Sequence, residues 1–307
     1  MVEGYIDQII KLPIQGEKIM LTKKQFDILA WLAEQDHLTA ADCPTFTAAE
    51  LEALDAAGYT ASGAITGAGL AALEPYRVRR AIFMAAGFGS RMLPITINTP
   101  KPLVRVRGKR MIDTALDAVL AAGIEEIYVI RGYLAEQFDQ LLYKYPMIHF
   151  IENPLYDQSN NIGSLYCAGD LLRGAYLMEA DLMVSNPSVV RRYQYQSNYL
   201  GIPVKETTDW SARTKDGIIE TIAPGYATDC HLVIGISYWS EEDGARYARH
   251  IREVFEAPGG KQCFMSQVVY VHHPGEYRIA IRECSAEDIV EIDSFAELKE
   301  IDPVYDV

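Results

Sequence analysis

The chain has 307 residues, of which 49% are hydrophobic and 23% charged, and its formal net charge at pH 7 is −14. This length allows about two domains, and the composition is that of an ordinary globular protein. The negative charge argues against a general polyanion binder, although local basic residues can still hold a small phosphate ligand. No apolar run is long enough for a membrane-spanning helix, and the amino terminus does not have the pattern of a signal peptide. We therefore expect no membrane association.

The cysteines are scattered and form no CxxC pair. This spacing predicts reduced thiols in a cytoplasmic protein, rather than a disulfide framework or a zinc site. The five residues are Cys43, Cys167, Cys230, Cys263 and Cys284.

The first 76 residues predict a small winged-helix-like domain. Apolar residues at helix spacing follow Thr22, a suitable N-cap, and Thr47 with Glu50 has the pattern of a capping box at the start of a second helix over 47–58. A short ribbon and a third helix, ended by Pro75, complete the pattern.

This amino-terminal domain is acidic. Residues 1–77 contain 5 Lys or Arg and 11 Asp or Glu, and the candidate DNA-reading helix has no basic residue. Because DNA binding depends mainly on Lys and Arg at the phosphates, we do not expect it here. A packing, dimerisation or regulatory role is the simpler interpretation, which leaves a homodimer open.

From residue 79 onwards, strands alternate with amphipathic helices. This alternation predicts an α/β domain over 77–307 with a parallel, doubly wound sheet. Strands are expected at 80–86, 124–133, 148–154 and 174–184, and helices at 110–123, 133–145 and 161–172. Antiparallel ribbons over 217–240 and a helix over 243–258 follow.

The segment FMAAGFGSRMLPITINTPKPL, residues 83–103, follows the first strand of this domain. It lacks the third glycine of a dinucleotide fingerprint and the Gly-Lys-Ser/Thr of a P-loop. Gly87 and Gly89 allow backbone N–H groups to face phosphate oxygens. Arg91 offers a planar fork, and Lys101, between two prolines, offers a point charge. The pattern predicts a triphosphate cradle with two cations for charge developing on the phosphates.

The same segment resembles the signature of the nucleotidyltransferases that make nucleoside diphosphate sugars and CDP-alcohols. Within that family the chain is most similar to the bacterial CTP:phosphocholine cytidylyltransferases, and the resemblance covers residues 79–301. The further stretches that carry it are RGYLAEQF, NNIGSLY, YLMEADLMV, GISYWS and VEIDSFAELKEI. The amino-terminal domain is similar to winged-helix regions that precede some bacterial members.

The resemblance implies a glycosyltransferase-A-like α/β domain with a mixed, mostly parallel sheet. It also implies transfer of CMP from CTP to phosphocholine, with release of pyrophosphate and with Mg²⁺ as cofactor. No general base is expected, because a phosphate monoester with a second pKa near 6 is already largely ionised at neutral pH. Arg91 and Lys101 would be the catalytic cations.

Two aspartates are the Mg²⁺ ligands that the resemblance implies. Asp181 ends a predicted strand, where ligands bind in open α/β sheets, although such a residue is more often part of a turn. Asp293 precedes the last helix, where it or Ser294 also suits an N-cap. Glu179 shares a strand face with Asp181 and is a candidate for a residue that surrounds the metal ligands without binding the ion itself.

The resemblance further implies a set of nucleotide contacts. Asn160 and Asn161 lie between the third predicted strand and the third predicted helix, where asparagine is by itself a common turn signal. The implied contacts are Ala85, Ala86, Gly87, Gly89, Gly132, Tyr133, Asn161 and Ser164.

A cationic acceptor such as phosphocholine calls for aromatic faces and a carboxylate. The candidates are Trp210, Tyr238, Trp239 and Glu291, with Tyr193, Tyr195, Tyr199 and Tyr226 as further aromatic residues. Because a strand alternates its faces, one of the adjacent pair Tyr238 and Trp239 is expected in the core.

One departure from the phosphocholine enzymes concerns residues 264–267. This chain has Phe-Met-Ser-Gln where an aromatic–Trp–acid run is expected. Phosphocholine is the first hypothesis for the acceptor, and phosphoethanolamine, 2-aminoethylphosphonate and a sugar 1-phosphate stay open. A transcription regulator that senses a nucleotide through an inactive transferase domain is an alternative of another class.

Overall fold

The computed structural model describes residues 20–34 and 46–306. The chain divides into two compact units, Met1–Pro75 and Tyr76–Val307. Cys43 lies outside the described residues. Among the helices of the described ranges, none combines the length and the apolar character that crossing a bilayer requires.

The first unit contains short helices and one small ribbon. Its elements are α1 (Lys23–Glu34), α2 (Ala48–Ala56), β1 (Thr60–Ala61), β2 (Ala64–Ile65) and α3 (Gly67–Leu73). Both expected caps form: Thr22 Oγ1 accepts the backbone N–H of Gln25, and Thr47 forms a capping box with Glu50. The winged-helix assignment and the roles proposed for this unit stay predictions.

The second unit is built on a large mixed sheet with helices on both faces. Its strands are β3 (Arg80–Ala85), β4 (Arg105–Val106), β5 (Lys109–Arg110), β6 (Glu126–Arg131), β7 (Ile148–Glu152), β8 (Ala175–Glu179), β9 (Leu182–Val184), β10 (Asn198–Thr207), β11 (Ser211–Lys215), β12 (Ile218–Ala223), β13 (Ala227–Trp239), β14 (Ala280–Glu283) and β15 (Ile289–Glu291). Its α-helices are α4 (Met111–Ala121), α5 (Ile162–Ala168), α6 (Glu241–Glu256), α7 (Met265–Gln267) and α8 (Phe295–Ile301).

The central sheet has nine strands in the order β10-β14-β12-β11-β13-β8-β3-β6-β7. Strands β8, β3, β6 and β7 are parallel, and β13 joins β8 antiparallel. Strand β10 also pairs with β13, so five strands close into a ring in the order β10-β14-β12-β11-β13. The predicted antiparallel ribbons are confirmed, and they form one end of the sheet.

Alternate residues of β3 enter two separate cores. Ala81, Phe83 and Ala85 pack with residues of α4 on one face, whereas Ile82 packs with residues of α5 and α6 on the other. Since both faces are covered, the strand is a continuous apolar run. The carboxyl ends of the parallel strands therefore form the edge at which polar side chains can meet.

Two predicted elements differ from the structure. The segment expected as a helix over 133–145 contains a 3₁₀ helix, Ala135–Tyr143. The strand expected over 174–184 is interrupted at Ala180 and Asp181, and the part beyond them, β9, leaves the central sheet to pair with β15. An unbroken apolar run in the sequence does not reveal such a change of partner.

Candidate active site

The glycine loop after β3 is shaped to let Lys101 approach. Gly89 has a φ of 68°, in the left-handed region, and a Cβ on it would lie 3.0 Å from Cβ of Lys101. Thr96 Oγ1 donates to the Gly89 carbonyl over 3.0 Å. A side chain at position 89 would therefore be strained and would also push against the lysine.

A cavity of about 340 Å³ lies at the carboxyl ends of β3, β7 and β8. Most of the residues expected to contact the nucleotide line it together with the expected cations and one expected metal ligand. They are Ala85, Ala86, Gly87, Gly89, Arg91, Lys101, Asn160, Asn161, Ser164 and Asp181.

Gly132 and Tyr133 do not line this cavity and instead support its walls. A Cβ on Gly132 would lie 2.7 Å from Cβ of Tyr156, which does line the cavity. Tyr133 donates its N–H to the Ala86 carbonyl over 3.0 Å and its hydroxyl to the Thr96 carbonyl over 2.9 Å. In this structure the two residues support the glycine loop and Tyr156, and their direct contact with the nucleotide stays a prediction.

Three polar residues of the cavity were missed from the sequence: Asn153, Tyr156 and Ser159. They follow β7, and Asn153 is buried, with its amide donating to Ser164 Oγ over 3.3 Å. Their position after a parallel strand was the sequence signal that they could line a ligand site. The stretch ENPLYDQSNN is rich in turn-forming residues, which concealed it.

Lys101 is buried between the two aspartates. Its Nζ lies 2.6 Å from Oδ2 of Asp181 and 2.9 Å from Oδ1 of Asp293. Burial by itself would lower the pKa of Lys101, but the attraction of Asp181 and Asp293 outweighs it, and the net shift of the pKa is upward. The lysine is therefore a permanent positive charge at this site.

Arg91 binds Asp293 with both ends of its guanidinium group. The two N–H···O distances are 2.9 Å and 2.8 Å, and Arg91 itself is largely exposed. The N-cap of α8 is Ser294, whose hydroxyl accepts the N–H of Glu297. Asp293 is thus not occupied as the helix cap and turns to the cations.

The ribbon of β9 and β15 brings the two aspartates together. Leu182 of β9 is paired with Glu291 of β15, and the N–H of Ile292 donates to the Asp181 carbonyl over 3.3 Å. Residues more than 100 positions apart in the chain therefore end at one point. Two further acidic residues lie two positions before these aspartates: Glu179 ends β8, and Glu291 ends β15.

These carboxylates fit a divalent cation. One oxygen from each of Glu179, Asp181 and Glu291 lies within 4.8 Å of the others, and Asp181 Oδ1 is buried without a hydrogen-bond partner. Burial, followed by the charge of neighbouring carboxylates, raises the pKa of both Glu179 and Glu291. Hard oxygen ligands of this kind suit Mg²⁺.

A second cavity, of about 240 Å³, adjoins the first. Arg91, Asn161 and Glu179 border both cavities. The other residues of the second cavity are Tyr199, Asp209, Trp210, Ile222, Val233, Gly235, Phe264, Met265, Ser266, Glu291 and Asp293. The rings of Trp210 and Phe264 meet edge to face, with their centroids 4.9 Å apart. The sequence indicated Trp210, Glu291 and Tyr199, but not Asp209 or Ser266.

Tyr238 and Trp239 are core residues, which corrects their assignment to an acceptor pocket. Tyr238 is 3% exposed and Trp239 is fully buried, with its ring stacked on Tyr247 at 3.8 Å. The end of β13 pairs with β8 in the middle of the sheet, where helices and loops cover both faces. Alternation therefore sends both side chains into a core.

Three further tyrosines also lie away from the second cavity. Tyr193 is buried, Tyr195 stacks on Tyr76, and the exposed Tyr226 donates its hydroxyl to Glu206.

The fold and this site together define an enzyme of the nucleotidyl-transferring class. Residues 80–176 match the family described as Nucleotidyl transferase. The chain is 40% identical over 229 residues to the 2-aminoethylphosphonate cytidylyltransferase of Lancefieldella rimae, an alignment that covers 73% of this chain and 92% of that enzyme. It is 27% identical to the choline-phosphate cytidylyltransferase of Streptococcus pneumoniae over 232 residues, which are 73% of this chain and 97% of that enzyme.

A solved structure of the CTP:phosphocholine cytidylyltransferase from Streptococcus pneumoniae shares the fold. The TM-score is 0.69 at 28% identity, and the match covers 74% of this chain and 99% of that chain. The chain belongs to the nucleotidyl transferase family. Its relatives place it among the cytidylyltransferases, which act on small phosphorylated molecules.

Proposed function

We propose that this enzyme transfers CMP from CTP to a small acceptor that carries a phosphoryl or phosphonyl group and a primary ammonium group. 2-Aminoethylphosphonate is the simplest such acceptor, and it is named for the relative from Lancefieldella rimae. The observation that carries the proposal is the acidic lining of the second cavity. Glu179, Asp209 and Glu291 all border it, directly beside the cations of the first cavity.

The second cavity suits a primary ammonium better than a trimethylammonium. A trimethylammonium has no N–H and is usually held by aromatic faces, whereas a primary ammonium has three donors that need acceptors. Trp210 and Phe264 supply one aromatic wall, and Ser266 stands in the stretch where a tryptophan and an acid were expected. Phosphocholine is the second candidate, favoured by that aromatic wall and by the relatives from Streptococcus pneumoniae.

The chemistry is an in-line displacement at the α-phosphorus of CTP. An oxygen of the acceptor forms a bond to that phosphorus, the bond to the bridging oxygen of the β-phosphate breaks, and pyrophosphate leaves with the electron pair. A phosphoryl oxygen with a second pKa near 6 is mostly ionised at neutral pH, so no general base is required. The enzyme must hold two anions in line and neutralise their charge.

The residues of the site divide this work. Asp181 and Asp293, with Glu179 and Glu291 beside them, would hold Mg²⁺, which supplies positive charge to the triphosphate oxygens when bound. Lys101 and Arg91 pair with these aspartates in the structure. With Mg²⁺ on the aspartates, Lys101 and Arg91 would be free to bind phosphate oxygens of the nucleotide.

Pyrophosphate release tests the proposal. The assay contains Mg²⁺, CTP and one acceptor from 2-aminoethylphosphonate, phosphoethanolamine, phosphocholine and glucose 1-phosphate, with Asp181→Ala as the blank. We expect the highest kcat/KM with 2-aminoethylphosphonate, at least about tenfold above phosphocholine, which corresponds to about 1.4 kcal/mol. The reverse order would replace the proposed acceptor with phosphocholine. No release with any acceptor, with CTP, UTP or dTTP, would favour the nucleotide sensor.

A further inference from the structure

Two loops that border different cavities are joined to each other. The nucleotide loop, residues 158–161, contributes to the first cavity, and the acceptor loop, residues 261–266, contributes to the second. Three hydrogen bonds connect the loops. They run from Asn160 N–H to the Lys261 carbonyl at 2.8 Å, from Gln262 Nε2 to the Gln158 carbonyl at 3.1 Å, and from Met265 N–H to Asn161 Oδ1 at 2.8 Å.

The bond made by Asn161 is unlike the other two. Asn161 borders both cavities, and it reaches the acceptor loop through its side chain rather than its backbone. The position of Met265 is therefore tied to the rotamer of a residue that lines the first cavity.

Met265 is also held from its other side, so that a change in the Asn161 side chain affects the position of the acceptor loop. The buried hydroxyl of Tyr247 donates to the Met265 carbonyl over 2.8 Å. Phe264 donates its N–H to Oε1 of Gln267 over 2.8 Å and packs on Trp210. The wall of the second cavity thus has few alternative positions once Asn161 is fixed.

We propose that Asn161 is a positioning residue that couples the two cavities through the N–H of Met265. A nucleotide that fixes the Asn161 side chain fixes the wall against which the acceptor binds. The two ligands then raise each other's affinity by the same factor, because coupling between sites is reciprocal. The inference rests on the proposed function in taking the second cavity as the acceptor site, but it holds for any of the acceptors considered above.

The test measures the coupling factor by titration calorimetry. The Kd of 2-aminoethylphosphonate, or of whichever acceptor the wild type turns over, is determined in Mg²⁺ with and without a CTP analogue that has a methylene group between the α- and β-phosphorus atoms. For the wild type we expect the analogue to lower this Kd at least about fivefold, within the usual range of coupling energies. For Asn161→Ala we expect a factor within about twofold of one.

A further test uses two variants that leave Asn161 in place. Met265→Pro removes the N–H donor, and a proline is tolerated there because Met265 is the first residue of α7 and Phe264 already has extended backbone, with ψ at 151°. Met265→Ala removes the same side chain but keeps the N–H. We expect Met265→Pro to lose the coupling and Met265→Ala to retain it, and thermal unfolding confirms that both are folded.

The outcomes separate this inference from the proposed function. Acceptor turnover by the wild type, together with an unchanged coupling factor in Asn161→Ala and Met265→Pro, would overturn the inference alone. Equal loss of coupling in Met265→Pro and Met265→Ala would also overturn it, since the side chain and not the hydrogen bond would then be responsible. A wild type that neither binds nor converts any acceptor would overturn the proposed function and this inference with it.

Discussion

The Nζ atom of Lys101 lies 2.6 Å from Oδ2 of Asp181, so that the cation assigned to the triphosphate and a carboxylate assigned to the metal are paired with each other. Both groups are mostly buried. Each therefore compensates the charge of the other until ligands of opposite charge replace them. If Asp181 holds a metal ion as proposed, this pair links the stability of the site to its affinity for metal.

Replacement of Lys101 by methionine tests the role of this pair in catalysis and in metal binding. We expect kcat/KM to fall about 10²–10³-fold, the usual cost of losing one preorganised charge in an active site. We also expect Mg²⁺ to raise the melting temperature of Lys101→Met more than that of the wild type, because Asp181 no longer has a cation beside it. Melting curves with and without Mg²⁺ measure this, with the exposed Lys205→Met as control. An equal Mg²⁺ effect in both proteins would contradict the pairing.

Removal of metal tests the assignment of Asp181. A chelator should abolish turnover by the wild type, and Mg²⁺ should restore it. Asp181→Asn should lose at least about 10²-fold in kcat and need more Mg²⁺ for half-maximal rate, because an amide is a poorer ligand and lacks the charge. The exposed Asp170→Asn serves as control. Full turnover by Asp181→Asn at the Mg²⁺ level that suits the wild type would remove Asp181 from the metal site.

Gly235 on β13 lies directly against the side chain of Glu179. A Cβ on Gly235 would be 2.7 Å from Cβ of Glu179, so Gly235→Ala must displace that carboxylate. We expect the KM for the acceptor to rise about tenfold, a loss of about 1.4 kcal/mol. Gly201→Ala is the matched control, since its Cβ would press equally closely, but on Ile281. A similar acceptor KM in both variants would show that Glu179 does not contact the acceptor.

The two tryptophans of the second unit should respond differently to alanine. Trp210 is half-buried at the second cavity, so Trp210→Ala should raise the acceptor KM with a small loss of stability. Trp239 is fully buried, so Trp239→Ala should cost about 3–5 kcal/mol of unfolding free energy. Steady-state kinetics and denaturant unfolding of both variants measure this. A change of acceptor preference in a folded Trp239→Ala would refute its assignment to the core.

The sequence identifies those parts of the site that are local in the chain. The glycines, Arg91 and Lys101 belong to one continuous segment, and Asp181 follows an apolar strand, so each is visible in a short window. Tyr238 and Trp239 show the limit of such reasoning. Alternation indicates that they lie on opposite faces, but only the position of β13 inside the sheet shows that both faces are covered.

The acceptor side depends on contacts between distant segments. Asp209, Ser266 and Glu291 come from three loops or strand ends that approach one another only after the ring of strands from β10 to β13 has closed. The hydrogen bond between Asn161 and Met265 spans 104 positions and has no sequence signature of its own. Tertiary packing, rather than local propensity, decides these neighbours.

The pairing of β9 with β15 also has a consequence for biosynthesis. A growing polypeptide that has left the ribosome only through residue 280 possesses Lys101 and Asp181, but it lacks Asp293 and the strand that leads to it. The nascent chain therefore cannot assemble the acidic cluster until β15 and Asp293 have been translated. A product terminated before β15 would lack Glu291 and Asp293, however well its parallel sheet had folded.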